Sequence, residues 1–196
     1  MQAAVKGEQT MMAALIPVAE EDAFNASKKS SQDTSKVCNV ANLNGTQVVL
    51  SGHSIAVNYA LALLKKSGKK FKTVLLNVSA PFHSELMNPV VPVLEKEFEH
   101  IHPKNPLVPF ISNTTASILN DIQKIIPELV IQVKSPIKFD SCVRSSLNDL
   151  QINRYVEIGP KPVLERLVKK IIPRVDISCI STAEDITNFQ LVKPKK

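Results

Sequence analysis

The hydrophobic and polar positions of the chain predict an alternation of strands and helices. Apolar runs of strand length occupy residues 10–17, 37–43, 46–51 and 71–78. Residues 19–32 open with three acidic side chains, which suit a helix N-terminus, and a loop is expected over residues 30–36. Residues 54–67 carry an apolar stripe and two late lysines, as a helix does. The Asn44-Gly45 pair is a hairpin signal.

This β-α-β-β-α-β order predicts a ferredoxin-like subdomain over residues 10–78. Residues 79–196 alternate differently, with helices predicted over 84–101, 121–134, 139–150 and 163–172, and strands over 107–112, 155–158 and 177–180. Such alternation is typical of an α/β fold with a parallel sheet. Three strands are few for a complete sheet, so we expect part of a larger core. Residues 1–9 are expected to end a core helix and connect it to the subdomain.

Composition and charge restrict the partners. The 196 residues include 24 basic and 18 acidic side chains, a net charge of +6 that favours acidic partners. A cluster of lysines follows the predicted helix at residues 54–67, namely Lys65, Lys66, Lys69, Lys70 and Lys72. It is either a solvated face or a surface that binds phosphate or an acidic protein. Because Phe71 is its only aromatic neighbour, it is only a weak indication of nucleic-acid binding. No apolar run approaches the roughly 20 residues that span a bilayer.

The three cysteines, Cys38, Cys142 and Cys179, lie far apart. Their spacing predicts no zinc site and is consistent with reduced thiols in an intracellular protein. We therefore expect neither a metal nor a cofactor.

Two histidines stand where chemistry could occur. His83 follows a strand and Pro81 at the junction of the two patterns, where clefts form, and catalytic and structural roles are equally compatible with that place. The segment from Gly52 through His53 and Ser54 is close to a nucleophile elbow, but Ala56 replaces the second glycine. The favoured interpretation is that Ser54 caps a helix and His53 is a surface residue.

A third candidate is the strand end Glu157-Ile158-Gly159-Pro160, which precedes a helix N-terminus that could attract an anion.

Four segments, in order, resemble motifs of the malonyl-CoA:acyl carrier protein transacylases and related acyltransferase domains. They are Ala41–Asn44 with Gln47–Gly52, Ser79–Met87, Gln132–Ile137 and Glu157–Pro160. The resemblance implies a ferredoxin-like subdomain inserted in an α/β-hydrolase-like acyltransferase core, of which this chain carries part. It also implies a ping-pong transfer of malonyl from malonyl-CoA, through a serine ester, to the phosphopantetheine thiol of acyl carrier protein.

The resemblance assigns His83 as general base and acid, oriented by the backbone carbonyl of Gln132. Phe82 would limit the pocket to a malonyl-sized group, because its ring would crowd an α-methyl group. The positions that the resemblance places at the substrate are Phe82, Asn42, Asn44 and Asn113.

The family's nucleophile lies about a hundred residues before its histidine, whereas Ser54 is about thirty residues before His83. Ser54 is therefore not assigned as the nucleophile, and the chain alone is expected to transfer little malonyl. The alternatives are a non-catalytic module that binds acyl carrier protein or RNA, and an inactive truncated product. The family works in the cytoplasm and the mitochondrial matrix, and either compartment is expected.

Overall fold

The computed structural model describes residues 1–189, and a four-stranded antiparallel sheet occupies the first half of the chain. A 3-10 helix, Gln2–Val5, precedes it. The elements that follow are β1 (Thr10–Ile16), α1 (Glu20–Thr34), β2 (Cys38–Asn44), β3 (Gln47–His53), α2 (Ser54–Lys66) and β4 (Lys72–Leu75). The predicted element order and the hairpin at Asn44-Gly45 are thus present, and Gly45 has the positive φ that this turn requires.

The sheet has the strand order β2-β3-β1-β4, and the alternation of side chains along each strand gives it two buried faces. One face packs against α1 and α2 in the main hydrophobic core, which includes Leu15, Val48 and Leu50. The opposite face carries smaller side chains, including Ala14 and Val49, and Phe82 packs against it. The second face therefore supports the segment that leads into His83.

In the rest of the described chain, helices contain more residues than strands do. Its elements are a 3-10 helix (Glu85–Val90), α3 (Val91–Glu99), β5 (Phe110–Ile111), β6 (Ile118–Leu119), α4 (Ile122–Ile131), α5 (Phe139–Asn148), β7 (Arg154–Ile158), α6 (Leu164–Ile171), β8 (Asp176–Ile180) and α7 (Ala183–Asn188). β7 and β8 are parallel, as their alternation with helices predicts. β5 instead pairs with β6 in a short antiparallel hairpin, so the prediction of one parallel sheet with three strands is wrong.

Two helix predictions also differ from the structure. α1 continues to Thr34 through the expected loop, because the hydroxyls of Ser30 and Thr34 bond to the carbonyls of Ala56 and Ser30. The single helix expected over residues 84–101 begins as a 3-10 helix and becomes α-helical only at Val91. Pro89 lies inside the 3-10 helix, where it supplies no N–H for an α-helical bond.

A β-bulge joins the sheet to the second half of the chain. The register of β2 against β3 shifts between Val40 and Asn42, which leaves Ala41 out of the ladder. The Ala41 carbonyl accepts from the N–H of Ile137 at 2.8 Å, and the N–H of Leu43 donates to the Ile137 carbonyl at 2.8 Å. The chain between α4 and α5 is thereby fixed to β2.

Gly52 is required where β3 approaches the residue before β2. The N–H of His53 donates to the carbonyl of Val37 at 2.9 Å, and a methyl group on Gly52 would overlap that carbonyl oxygen. We expect Gly52→Ala to lower the free energy of unfolding by about 1–3 kcal/mol, the usual range for overpacking. Gly159→Ala is the matched control, since a methyl group there meets nothing within 4 Å. Urea denaturation of both variants measures the difference, and equal midpoints would contradict the steric account.

Candidate functional site

The backbone of His83 has an uncommon conformation that is fixed by a neighbouring turn. Its φ is +59°, in the left-handed region that costs a non-glycine residue about 1–2 kcal/mol. The His83 N–H donates to the carbonyl of Val133 at 3.0 Å. Such a conformation persists only where the surrounding structure holds it, and it is found disproportionately at functional sites.

The imidazole of His83 is oriented by the carbonyl of the residue that precedes Val133. Nδ1 lies 2.7 Å from the carbonyl oxygen of Gln132. Gln132 is the C-cap residue of α4, so its carbonyl lies beyond the repeating hydrogen bonds of the helix. Because a carbonyl oxygen can only accept, Nδ1 carries the proton of the neutral ring and Nε2 holds the free lone pair. That tautomer presents a base at Nε2.

His83 borders a cavity of about 360 Å³ whose walls are mostly apolar. The cavity is lined by residues from the first turn, α3 and α4 together with the His83 segment, namely Met1, Phe82, His83, Leu94, Phe98, Leu129, Gln132 and Val133. A cavity with apolar walls and a single titratable side chain is a typical setting for general acid–base chemistry.

Burial lowers the pKa of His83 below the ordinary value of 6.5. Hydrogen bonds with the backbone of Gln132 and Ser135 oppose this effect but do not cancel it. The neutral, proton-accepting form is therefore the dominant one at neutral pH.

The other residues implied by the resemblance stand at different distances from this cavity. Phe82 lines it and packs against two buried clusters, so its ring is held in place. Asn113 is exposed, and its Nδ2 donates to the side-chain Oε1 of Gln132 at 3.2 Å. Asn42 adjoins the bulge of β2, and Asn44 is buried at the end of that strand. Of the four, Phe82 alone lines the cavity.

The segment around Ser54 is structural in a way that differs from the prediction. His53, expected on the surface, is only 8% exposed. Its Nδ1 accepts from the N–H of Val37 at 3.0 Å, and its Nε2 lies 3.4 Å from a carboxylate oxygen of Glu8. His53 occupies the N-cap position of α2, and Ser54 is the first helical residue, so the prediction that Ser54 caps the helix is wrong.

The strand end at Glu157 is not an open anion site. The Glu157 carboxylate accepts from the N–H groups of Val163, Leu164 and Glu165, at 3.2, 2.9 and 2.8 Å. The N-terminus of α6 is therefore already occupied by an anion from the chain itself. Burial raises the pKa of Glu157, but the three hydrogen bonds together outweigh it, so the pKa is lowered.

A hydrogen-bonded cluster that sequence reasoning missed lies beside Gln132. The carboxylate of Glu128 accepts from the hydroxyls of Ser112 and Thr114. The partners are 14 and 16 residues apart and belong to no periodic pattern, so no local signal could have indicated the cluster.

Residues 1–189 contain no group of three or more His, Cys, Asp or Glu side chains that could hold a metal ion. No helix in that range has both the length and the apolar character needed to cross a bilayer.

Comparison with known proteins identifies close relatives. Residues 1–192 match the family described as acyl transferase domain. Malonyl CoA-acyl carrier protein transacylase of Bacillus subtilis is 33% identical over 187 residues, which are 95% of this chain and 58% of the relative. The Haemophilus influenzae protein of the same name is 31% identical over 98% of this chain and 60% of its own length. The chain thus spans about three fifths of these relatives.

Solved structures agree with these matches. Malonyl-CoA:acyl carrier protein transacylase of Xanthomonas oryzae superposes with a TM-score of 0.87 at 30% identity, over 95% of this chain and 59% of that protein. A malonyl-transacylase in complex with its type II polyketide synthase acyl-carrier protein gives a TM-score of 0.86 at 29% identity, over 95% of this chain and 60% of that one. The matches do not favour the alternative of a non-catalytic binding module.

The lowered pKa of His83 predicts how stability depends on pH. The unfolded chain takes up a proton at this residue as pH falls through about 6.5, whereas the folded protein resists protonation until a lower pH. The free energy of unfolding should therefore fall as pH drops below 6.5, and His83→Gln should remove this part of the dependence. Urea denaturation from pH 7.5 to 5 measures it.

His100→Gln is the control, since His100 is exposed at the end of α3, and its profile should follow that of the unmodified protein. Parallel profiles for the unmodified protein and His83→Gln would contradict the assignment of a depressed pKa to His83.

Proposed function

We propose, on the premise that this chain belongs to the acyl transferase domain family, that it takes part in the transfer of malonyl from malonyl-CoA to the phosphopantetheine thiol of acyl carrier protein. In this proposal His83 is the general base and acid. The observation that carries it is the 2.7 Å hydrogen bond from His83 Nδ1 to the Gln132 carbonyl, which leaves the lone pair of the neutral ring on Nε2, in a side chain that lines the cavity.

The reaction proceeds in two half-transfers in this proposal. Nε2 of His83 takes the proton of a serine hydroxyl as its oxygen attacks the thioester of malonyl-CoA. The proton then passes to the coenzyme A sulfur as the carbon–sulfur bond breaks, and malonyl remains as a serine ester. In the second half, His83 takes the proton of the phosphopantetheine thiol as its sulfur attacks the ester, and returns it to the serine oxygen.

The serine itself is assigned to the part of the family fold that this chain does not match. Within residues 1–189, no side-chain hydroxyl or thiol is hydrogen-bonded to His83, and the solved relatives extend well beyond the matched region. Ser54 is not recruited, since it opens α2 and its N–H is bonded to the Gln9 carbonyl at 2.9 Å.

Phe82 is proposed to determine the size of the acyl pocket. Its ring adjoins His83 and packs against both the sheet and the α3 side, so it has little freedom to move away from an α-methyl group. Discrimination of one methyl group by such a wall is worth about 1–3 kcal/mol. The asparagines implied by the resemblance are proposed as polar contacts of the substrate (Asn42, Asn44 and Asn113).

Residues 10–78 are proposed to form a ferredoxin-like subdomain of this acyltransferase. The strand order β2-β3-β1-β4 and the packing of both helices on one face support that assignment. Acyl carrier protein is proposed as the partner because a structural relative is described in complex with its own carrier protein.

The test joins this chain to the part of the Bacillus subtilis relative that it does not match, so that serine and His83 occur in one protein. Transfer of radiolabelled malonyl from coenzyme A to carrier protein is then measured. We expect the fusion to be active and the chain alone to transfer little. His83→Ala in the fusion should lower the rate by about 10²–10⁴-fold, the usual contribution of a general base.

His100→Ala, at an exposed histidine, is the matched control and should leave the rate unchanged. An active fusion that keeps its full rate after His83→Ala would refute the role assigned to His83.

A further inference from the structure

A turn over residues 112–117, called here the Asn113 turn, is fastened to α4 by the side chain of Glu128. The hydroxyls of Ser112 and Thr114 both donate to Oε2 of that carboxylate. The Ser112 oxygen also accepts from the N–H groups of Thr114 and Thr115 at 3.2 and 3.3 Å. Ser112 is only 1% exposed and Thr114 9%, so the carboxylate binds the buried side of the turn.

The carboxylate of Glu128 is ionised when it makes these contacts. Hydrogen bonds from Ser112 and Thr114 lower its pKa, and this effect exceeds the opposing one of burial. Hydrogen bonds to an ionised acceptor are shorter and stronger than those between neutral groups. Glu128 therefore holds the turn more firmly than a neutral side chain would.

The Asn113 turn also contacts the segment that orients His83. The Nδ2 group of Asn113 donates to Oε1 of Gln132 at 3.2 Å, and the Asn113 carbonyl accepts from the N–H of Lys138 at 2.7 Å. Glu128 and Gln132 are one helical turn apart, and the N–H of Gln132 donates to the Glu128 carbonyl at 3.1 Å. The turn is thus attached to α4 at two successive helical turns and to the residue before α5.

The Gln132 carbonyl needs such support because of where it lies. Residues 132–138 connect α4 to α5. Turn hydrogen bonds continue only as far as the one from the Ser135 N–H to the Gln132 carbonyl at 3.3 Å, and residues 136–138 then lead into α5 outside any helix or strand. On one side this connection is fixed by the bridge between Ile137 and β2. On its other side it is fixed by the Asn113 turn.

We infer that Glu128 is a positioning residue, which acts through the Asn113 turn to keep the Gln132 carbonyl on Nδ1 of His83. Glu128 affects catalysis only if His83 has the role given to it in the proposed function. The arrangement itself is a property of the described chain and can be measured without any transfer activity. A failure of the positioning role is therefore distinguishable from a failure of the proposed reaction.

The test measures the tautomer of His83 in the full chain labelled with ¹⁵N-histidine. At a pH where the ring is neutral, the nitrogen chemical shifts give the ratio of the Nδ1–H to the Nε2–H form. Glu128→Ala should lower this ratio by about fivefold, which is the effect of losing one ordinary hydrogen bond. Circular dichroism confirms that each variant is folded.

Glu128→Gln separates position from charge. A glutamine oxygen can still accept from both hydroxyls, so this variant should restore most of the ratio that Glu128→Ala loses. If the influence of Glu128 on His83 were that of its negative charge, the two substitutions would have the same effect.

Asp121→Ala is the matched control for general loosening of α4. Asp121 caps the first turn of that helix by accepting from the N–H of Gln123 at 3.0 Å. Removing it should lower the stability of the helix about as much as removing any other N-cap, without changing a contact of the Asn113 turn. The ratio should stay as in the unmodified chain. Thr114→Val, which removes one donor to Glu128, should lower the ratio less than Glu128→Ala and serves if the latter does not fold.

Three results would each overturn the positioning role. The first is an unchanged tautomer ratio in folded Glu128→Ala, or in Thr114→Val where only that variant folds. The second is that Glu128→Gln lowers the ratio as much as Glu128→Ala does. The third is that Asp121→Ala lowers the ratio as much as Glu128→Ala does.

Discussion

The hydrogen bond between Nδ1 of His83 and the Gln132 carbonyl is the interaction on which the rest of the site depends. It fixes the direction of the ring and leaves a lone pair on Nε2. The acceptor is the carbonyl of the C-cap residue of α4, which also accepts from the N–H of Ser135 at 3.3 Å. The next carbonyl, of Val133, binds the backbone N–H of His83 itself. Two adjacent peptide groups thus hold the side chain and the main chain of one residue.

The surroundings of the ring have opposite effects on the pKa of His83. Burial among apolar walls keeps the imidazole neutral, while its backbone hydrogen bonds favour the charged form that would arise after it accepts a proton. Burial has the larger effect, so the resting state is the base, and the carbonyl is ready to stabilise the imidazolium. The irregular chain that supplies the carbonyl is fixed from both sides, by the bulge of β2 and by the turn bound to Glu128.

Much of the sheet could be predicted from the sequence because its signals are local. The apolar runs and the Asn44-Gly45 turn give the strands from Thr10 to His53 nearly to the residue. β4 is shorter than its apolar run, and the second half departs further. There β5 pairs with β6, and the helix at residues 84–101 is interrupted by prolines. Which strands pair, and where a 3-10 helix changes into an α-helix, depend on tertiary contacts. The spacing of hydrophobic residues along the chain does not specify those contacts.

The functional site, too, could be predicted from the sequence only in part. His83 and Gln132 are 49 residues apart, and only the resemblance to a family connected them before the geometry was known. The sequence pattern at Glu157 predicts an anion site, whereas the carboxylate of Glu157 itself binds the helix N-terminus six to eight residues later. His53 is buried because Gly52 brings its strand against Val37, a close approach that composition does not reveal. Side chains that satisfy a backbone are hard to distinguish from side chains that await a ligand.

The central claim is that the neutral imidazole of His83 carries its proton on Nδ1 and offers Nε2 as a base. Nitrogen-15 NMR of the unmodified chain, labelled at histidine and observed at a pH where the ring is neutral, tests it most directly. The account predicts a protonated Nδ1 and a bare Nε2 for His83. A proton found on Nε2 would mean that the Gln132 carbonyl does not orient the ring, and would contradict the account.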